Sequence, residues 1–263
     1  MSADSEITVL IPTSPIPWHP STHIIDQVIA SIRFHLPHAH MIIMMDGVRR
    51  EMEFRRKQYG EYKDNLRKNA ADGKYGYVQL LDYDTWSQQA IMTRDAVHHI
   101  KTPTVLFVEH DTPLVTVSNP RDEENTGRTD HPEDCLIEWE KIVGFLTSKR
   151  ANIVRFYSWE KVWHEHAGMM RDTMEWEGTR FLQTLQWSQW PNVGSTEFYR
   201  DMFDRFFHPN RRTMIETVMS SPAATLAWDE VKTTIYYPGE NNRRFYHLNG
   251  RVGEDGLKDA ADW

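Results

Sequence analysis

The chain has 263 residues, of which 40% are hydrophobic and 26% are charged, a composition typical of a globular protein with a sizeable core. Its formal net charge of −8 at pH 7 argues against a protein that coats nucleic acid through its overall charge. Local basic segments could still contact a polyanion. No apolar run reaches the roughly 18–20 residues of a membrane-spanning helix, and the N-terminal MSADSE lacks the apolar part of a signal peptide. We therefore expect a cytoplasmic protein.

The first 111 residues alternate between short apolar runs and segments with helical periodicity. The runs are continuously apolar, which predicts a largely parallel sheet covered by helices on both faces. In such sheets ligands bind beyond the carboxyl ends of the strands, where Asp46 ends the second run and Glu109 and Asp111 end the fourth. The predicted strands cover residues 7–11, 41–47, 77–81 and 104–111, and the predicted helices lie within 25–36, 49–74 and 86–100.

The second half of the chain is less regular. Its segments predict a polar loop over 115–134, a helix over 135–148, strands at 151–157 and 182–187, a turn at Pro191 and Gly194, and a helix over 196–206. We find no internal repeat, low-complexity linker or domain break, so we expect one α/β domain over residues 1–263.

The single cysteine, the tryptophans and the clusters of basic residues could each be structural or functional. Cys135, the only cysteine, excludes an internal disulfide and a multi-thiolate metal site, and we interpret it as a helical residue. Tryptophans are numerous, and we expect most to lie in the core and one or two to form a stacking platform. Basic clusters are interpreted mainly as solvated faces, with contact to a polyanion left open. The tryptophans concerned are Trp159, Trp163, Trp176, Trp187 and Trp190, and the basic clusters are 49–57, Arg211–Arg212 and Arg243–Arg244.

Several common catalytic motifs are absent, namely the GxxxxGK[ST] and GxGxxG phosphate loops, GxSxG and HExxH. His164, Glu165 and His166 are interpreted as surface residues, because neighbours on a helix point about 100° apart and cannot chelate one ion together. The carboxylates of Glu109 and Asp111 suit a hard cation, Mg²⁺ or Mn²⁺, that serves a phosphate group. The alternative at this position is a polar strand end followed by a turn.

Four short motifs occur in the order found in GT-A glycosyltransferases: IPTSP after the first strand, MMDG after the second, TRDAV in the third helix and FVEHD after the fourth strand. Over about residues 7–251 the chain resembles the family-2-like members, which take sugars from nucleotide-sugar donors. The resemblance implies one GT-A-like domain with a mostly parallel central sheet. Residues 1–114 would form a Rossmann-like, nucleotide-sugar-binding half and residues 115–263 an acceptor-binding half.

The resemblance also implies roles for individual residues around the donor. Pro12, Thr13 and Asp46 would hold the nucleotide base, and Arg94 would lie near the nucleotide or its diphosphate. Gly194 would lie beneath the donor sugar.

At the predicted metal site, Asp111 would bind the cation, Mn²⁺ or Mg²⁺, and His247 would reach the metal or the diphosphate. Glu109 would face the ribose or the water shell of the metal. His110 is expected to be a spacer whose side chain points away.

The catalytic base is the point at which the chain departs from the family, because Thr217 replaces the aspartate that usually serves. Glu216 is then the expected base, and Asp229 is the second candidate. A carboxylate is needed because an acceptor hydroxyl is a poor nucleophile until its proton is taken.

The expected activity is metal-dependent transfer of a hexose from a nucleotide-diphosphate sugar, such as a UDP-sugar, to an acceptor hydroxyl with inversion. The acceptor would be a glycan or a hydroxymethylated pyrimidine in DNA, since the chain is similar to phage-encoded enzymes that modify DNA bases in the host cytoplasm. Two alternatives stay open. One is a non-catalytic GT-A-like protein that binds a nucleotide or glycan. The other is a nucleotidyltransferase, although PTSPIPWHP (12–20) supplies no glycine-rich basic phosphate loop.

Overall fold

A computed structural model describes residues 2–116, 136–159, 161–162, 168–239 and 241–248. Its strands are β1 (Ile7–Thr13), β2 (His40–Met45), β3 (Val78–Asp82), β4 (Thr104–Phe107), β5 (Ile153–Arg155), β6 (Met170–Trp176), β7 (Thr179–Thr184), β8 (Asn192–Ser195) and β9 (Thr233–Tyr236). Its α-helices are α1 (His23–His35), α2 (Arg56–Ala71), α3 (Gln88–His99), α4 (Trp139–Thr147), α5 (Thr196–Phe206), α6 (Ile215–Thr225) and α7 (Trp228–Val231), with 3-10 helices at Ala3–Ser5 and Arg50–Arg55.

All the described strands belong to one sheet, in the order β3-β2-β1-β4-β8-β5-β9-β7-β6. The four strands predicted in the first half are confirmed, and they pair in parallel. Their registers place Thr13 beside Met45, and Leu10 beside Phe107. The segments that follow β1, β2 and β4 therefore leave the sheet at the same edge, which we call the carboxyl edge.

The second half of the sheet is mixed rather than parallel. The turn predicted at Pro191 and Gly194 is wrong, because residues 192–195 form β8, which runs antiparallel to both β4 and β5. The strand predicted at 182–187 lies earlier, as β7, and pairs with β6, which the sequence did not predict. Every residue of β6 is exposed or half-buried, so its sequence carries little apolar signal.

Helices cover both faces of the sheet, as predicted. One apolar cluster joins β1 and β2 to α1, α2 and α4 through residues such as Val9, Ile25 and Tyr62. A second cluster on the opposite face joins Leu10 and Phe107 to α3, α5 and α6. Alternate residues of β1 thus face the two helical layers, which is why every residue of this mainly apolar strand is buried.

Most of the tryptophans described here are packed, as expected. Trp187 is buried, Trp176 packs against the core, and Trp159 is the most exposed of the described members of the predicted cluster, at 36%. Trp163, Cys135 and residues 164–166 lie outside the described residues. Across the part of the chain that the structure describes, no helix has the length and apolar character needed to cross a membrane.

Candidate functional site

A cleft of about 360 Å³ opens at the carboxyl edge of the parallel strands. Segments that follow four strands build it, because parallel pairing brings their ends together. Met214, just before α6, and His247 close two of its sides. The remaining lining residues are Ser14, Pro15, Ile16 and Pro17 after β1, Asp46, Gly47, Arg49 and Met52 after β2, Trp86 and Gln88 after β3, and Glu109, His110 and Asp111 after β4.

Asp46 connects the end of β2 to the segment that precedes α3. Its Oδ1 accepts hydrogen bonds from the backbone N–H groups of Gly47 and Ser87, both at 2.7 Å, and its Oδ2 accepts one from Gln88 at 3.0 Å. The side chain is 2% exposed. Burial raises the pKa of Asp46, although the three N–H donors and Lys63 oppose that shift.

Close backbone contact beside Asp46 requires a glycine. A Cβ atom on Gly47 would lie 2.1 Å from the carbonyl carbon of Thr85 and 2.3 Å from the backbone nitrogen of Trp86. In the segment that Gly47 contacts, Gln88 has a φ of 64°, a left-handed conformation that is strained for a non-glycine residue. Asp46 and Gly47, the last two residues of MMDG, therefore pack closely against the strained segment before α3, beside the cleft.

Pro12 and Thr13 lie deeper, in a cavity of about 80 Å³ that adjoins the cleft and shares Asp46, Gln88, Glu109 and His110 with it. The Thr13 hydroxyl lies 3.2 Å from the Tyr62 hydroxyl, and the Thr13 carbonyl accepts a hydrogen bond from Tyr59. The structure thus brings the three residues expected around the nucleotide base, Pro12, Thr13 and Asp46, into one region.

Asp111 and His247 face each other, although 136 positions separate them in the sequence. The Nε2 atom of His247 lies 3.5 Å from Oδ2 of Asp111. The backbone enforces this approach, because Leu248 N–H donates to the Asp111 carbonyl at 2.7 Å and Tyr246 N–H donates to the Pro113 carbonyl at 3.1 Å. The side chain of Asp111 is 15% exposed and that of His247 is 48% exposed, so the pair opens to the cleft.

The donor atoms at this pair fit Mn²⁺ or Mg²⁺ better than a soft metal, since they are carboxylate oxygens and one imidazole nitrogen. Among the described residues no group of three or more His, Cys, Asp or Glu side chains is arranged to hold a metal alone. Three carboxylates (Asp46, Glu109 and Asp111) and one guanidinium (Arg49) line the cleft, so it is acidic. A cation would reduce that repulsion for any phosphate group that entered.

Gln89 is a site residue that the sequence reasoning missed. Its side chain is 5% exposed and bridges two elements. Its Nε2 donates to Oε1 of Glu109 at 3.1 Å, and its Oε1 accepts from the backbone N–H of Ile215, the first residue of α6, at 3.1 Å. One buried amide therefore ties the acid after β4 to the start of the helix that carries Glu216.

Glu216 lies in the first turn of α6, near a buried arginine. Its backbone N–H donates to Oε1 of Gln189 at 3.1 Å. A second glutamine thus accepts a hydrogen bond from one of the free N–H groups at the start of α6. Arg155, at the end of β5, donates to the Gln186 carbonyl and to the Ser188 hydroxyl. Burial lowers the pKa of Arg155 to about 10, and the nearby carboxylate of Glu216 opposes this shift.

Glu216 itself lines neither the cleft nor the cavity beside it, and three other predicted site residues do not line them either. Arg94 lies on α3 and donates to the Pro209 carbonyl at 2.8 Å. Gly194 pairs with Val105 near the start of β4, and a Cβ atom there would lie 2.5 Å from Ile153 and from Tyr199, so this glycine serves packing. Asp229 is exposed on α7, which precedes β9 at the amino edge of the sheet, opposite the cleft.

His110 differs from its expected role as a spacer, because its ring lines both cavities. Its Nδ1 lies 3.3 Å from the Pro12 carbonyl, an arrangement that requires Nδ1 to carry the proton. Its Nε2 is buried and has no hydrogen-bond partner among the described residues. His110 therefore helps to hold the segment after β4 against the end of β1.

The sequence predicts a nucleotide-sugar donor at this cleft, and on that expectation Gln89→Leu should weaken donor binding and lower stability by about 1–3 kcal/mol, because a buried amide with two hydrogen bonds is lost. Gln189→Leu is the matched control, since Gln189 is 7% exposed and contacts α6 without contacting Glu109. Donor KM and urea unfolding would be measured for both variants. Equal donor KM values in the two variants would show that the contact to Glu109 has no part in donor binding.

Comparison with solved structures places this geometry in a known fold. A crystal structure of S. aureus TarS, residues 1–349, superposes with a TM-score of 0.51 and 11% identity over 92% of this chain and 60% of that chain. The same protein in complex with UDP-GlcNAc gives a TM-score of 0.51 and 10% identity, over 93% and 58% of the two chains. The mannosyltransferase PcManGT from Pyrobaculum calidifontis, in complex with GDP-Man and Mn²⁺, gives 0.45 and 9% identity, over 76% and 46%.

The likeness to TarS confirms the predicted fold class, a GT-A-like α/β architecture with a large central sheet flanked by helices. The chain spans about 60% of the length of TarS 1–349 and 36% of the longer TarS chain. No family model and no curated protein matches the sequence.

Proposed function

We propose that this chain is a metal-dependent glycosyltransferase that transfers a hexose from a nucleotide-diphosphate sugar, most simply a UDP-sugar, to an acceptor hydroxyl. The observation that carries the proposal is the pairing of Asp111 with His247 at the mouth of an acidic cleft, on the same edge of the sheet as Asp46. The GT-A-like fold and the UDP and UDP-GlcNAc complexes of TarS support a nucleotide-sugar donor.

In this proposal the donor is bound from the inner cavity outward. Pro12, Thr13 and Asp46 surround the nucleotide base, and Glu109, oriented by Gln89, faces the ribose. Asp111 and His247, with Glu109 beside them, would hold Mn²⁺ or Mg²⁺. When bound, such an ion neutralises the charge of the departing nucleoside diphosphate.

Glu216 accepts the proton of the acceptor hydroxyl in the proposed mechanism. Glu216 is held at the start of α6, and that helix begins directly after Met214, which lines the cleft. Attack by the hydroxyl oxygen forms the new C–O bond as the bond to the diphosphate breaks, and the anomeric carbon inverts. The acceptor is the hydroxyl of a glycan or of a hydroxymethylated pyrimidine in DNA.

The two alternatives are less well supported. A nucleotidyltransferase would need donors that cradle a triphosphate near β1, and the β1 loop contributes Ser14, Pro15, Ile16 and Pro17 to the cleft, none of them glycine or basic. A protein that only binds nucleotide or glycan would not need Glu216 in the first turn of α6, where Gln89 and Gln189 accept from the backbone N–H groups of Ile215 and Glu216.

Hydrolysis of UDP-hexoses separates transfer from binding. The whole chain is incubated with UDP-glucose, UDP-galactose or UDP-GlcNAc, with Mn²⁺ or with EDTA, and the release of UDP is measured. We expect slow, Mn²⁺-dependent release from at least one donor, because water can replace the acceptor. Saturable UDP binding without any release, in the presence of candidate acceptors as well, would identify a binding protein instead.

A further inference from the structure

Arginines border the mouth of the cleft on two sides. Arg49 and Arg50 are exposed at the start of the 3-10 helix that follows β2, and Arg49 lines the cleft itself. Arg211 and Arg212 are exposed in the loop before Met214, which lines the cleft from the other side. We call these residues, Arg49, Arg50, Arg211 and Arg212, the basic rim.

The two parts of the basic rim lie over opposite faces of the sheet. The 3-10 helix leads into α2, whose Tyr59 and Tyr62 pack in the cluster that also contains α1. The loop of Arg211 and Arg212 leads into α6, whose Ile215 and Met219 pack in the cluster on the opposite face. A chain that crossed the mouth of the cleft would therefore meet guanidinium groups on both sides of it.

Aromatic rings accompany these cations. Phe54, in the same 3-10 helix as Arg50, is 58% exposed, and the guanidinium of Arg55, a buried residue outside the basic rim, lies 5.2 Å from the centre of its ring. Arg212 lies 5.7 Å from the centre of the ring of Trp86, which lines the cleft. An exposed ring beside guanidinium groups, as at Phe54, is an arrangement on which a nucleic-acid base stacks while its phosphates are neutralised.

The positive charge of the basic rim is not needed to bind the diphosphate of the donor. In the proposed function the diphosphate of the donor lies at Asp111 and His247, where a divalent cation neutralises it. None of the rim arginines forms an ion pair with a described carboxylate, whereas their neighbour Arg56 pairs with Glu53. Residues 49–57 hold five basic and two acidic residues in a chain whose net charge is −8. The positive charge is concentrated where an acceptor would approach.

We propose that the basic rim and Phe54 bind a strand of nucleic acid, which brings a base turned out of its stack to the cleft as the acceptor. This inference rests on the proposed function, because it names the acceptor of the same site. The arginines contact phosphates, and the exposed face of Phe54 stacks on a base. Phosphate polymers without bases would use the arginines but gain nothing from Phe54.

Binding is tested without a donor, so that it does not depend on transfer. The probe is a fluorescein-labelled oligothymidylate, with a labelled duplex in parallel, and anisotropy is measured at several salt concentrations. We expect the wild-type chain to bind the single strand, with an affinity that falls steeply with salt. Arg50→Ala with Arg211→Ala should bind at least tenfold more weakly and with a smaller salt slope. Phe54→Ala should bind about tenfold more weakly, with the salt slope unchanged.

The matched control is Lys68→Ala with Lys101→Ala, which removes the same charge from exposed positions away from the cleft. Thermal unfolding of every variant confirms folding. The inference is overturned if the wild type fails to bind at low salt, or if the control weakens binding as much as the rim variant. It is also overturned if Phe54→Ala binds normally and inorganic polyphosphate competes as well as DNA per phosphate. Absence of UDP-hexose hydrolysis with intact DNA binding would instead count against the proposed function.

Discussion

Asp111→Ala should reduce Mn²⁺-dependent hydrolysis of the UDP-hexose by about a hundredfold or more. In the proposed function Asp111 supplies an anionic ligand of the cation, and a loss of about 3 kcal/mol of charge stabilisation corresponds to roughly that factor in rate. The fold should tolerate the change, because the Asp111 carbonyl, which accepts from Leu248 N–H, is retained. The measurement is UDP release as a function of Mn²⁺ concentration, together with the free energy of unfolding, which should change by about 1 kcal/mol or less.

Asp201→Asn provides the comparison, because Asp201 is exposed on α5, away from the cleft. It should hydrolyse the donor like the wild type. A second readout avoids dependence on turnover: Mn²⁺ should raise the affinity for UDP in the wild type and do so far less in Asp111→Ala. If Asp111→Ala kept both the rate and the effect of Mn²⁺ on UDP affinity, Asp111 would not be a metal ligand.

The sequence predicts the parallel half of the fold well because that half is buried on both faces. Every residue of β1 is buried, so its apolar run has no polar alternation that could suggest a one-sided strand. Strand β8, in contrast, could not be predicted from its sequence. Residues 192–195 include an asparagine, a glycine and a serine, and they form a strand because β4 and β5 offer hydrogen bonds on both sides. That tertiary context is absent from local sequence.

The same physical difference separates the site residues that could be predicted from those that could not. Asp46, Glu109 and Asp111 follow parallel strands, so their shared edge follows from topology. Gly194 lies in an antiparallel strand, whose reversed direction carries it towards the amino edge. Gln89 belongs to no motif, and its role could not be predicted because it depends on a hydrogen bond from Ile215, 126 positions away.

Glu216→Gln should lower the rate of donor hydrolysis and of transfer by about 10²–10⁴-fold while leaving UDP affinity unchanged. The amide keeps the size of the side chain and the backbone bond to Gln189, but it cannot accept a proton as a carboxylate does. Because Glu216 is not among the residues around the nucleotide, the loss should fall on kcat rather than on the KM for the donor. The readouts are the steady-state kinetics of UDP release and calorimetric titration with UDP and Mn²⁺.

Glu197→Gln is the matched control, since Glu197 is the second residue of α5 as Glu216 is the second residue of α6. Glu197 is exposed and pairs with Lys149 at 3.3 Å, and α5 begins directly after β8, near the amino edge of the sheet. The same chemical change at the same helical position should therefore leave the kinetics unaltered. If Glu216→Gln matched this control, the proton would be taken elsewhere. Asp229, the second candidate from the sequence, lies at the opposite edge of the sheet, so the base would then be sought among the carboxylates that line the cleft.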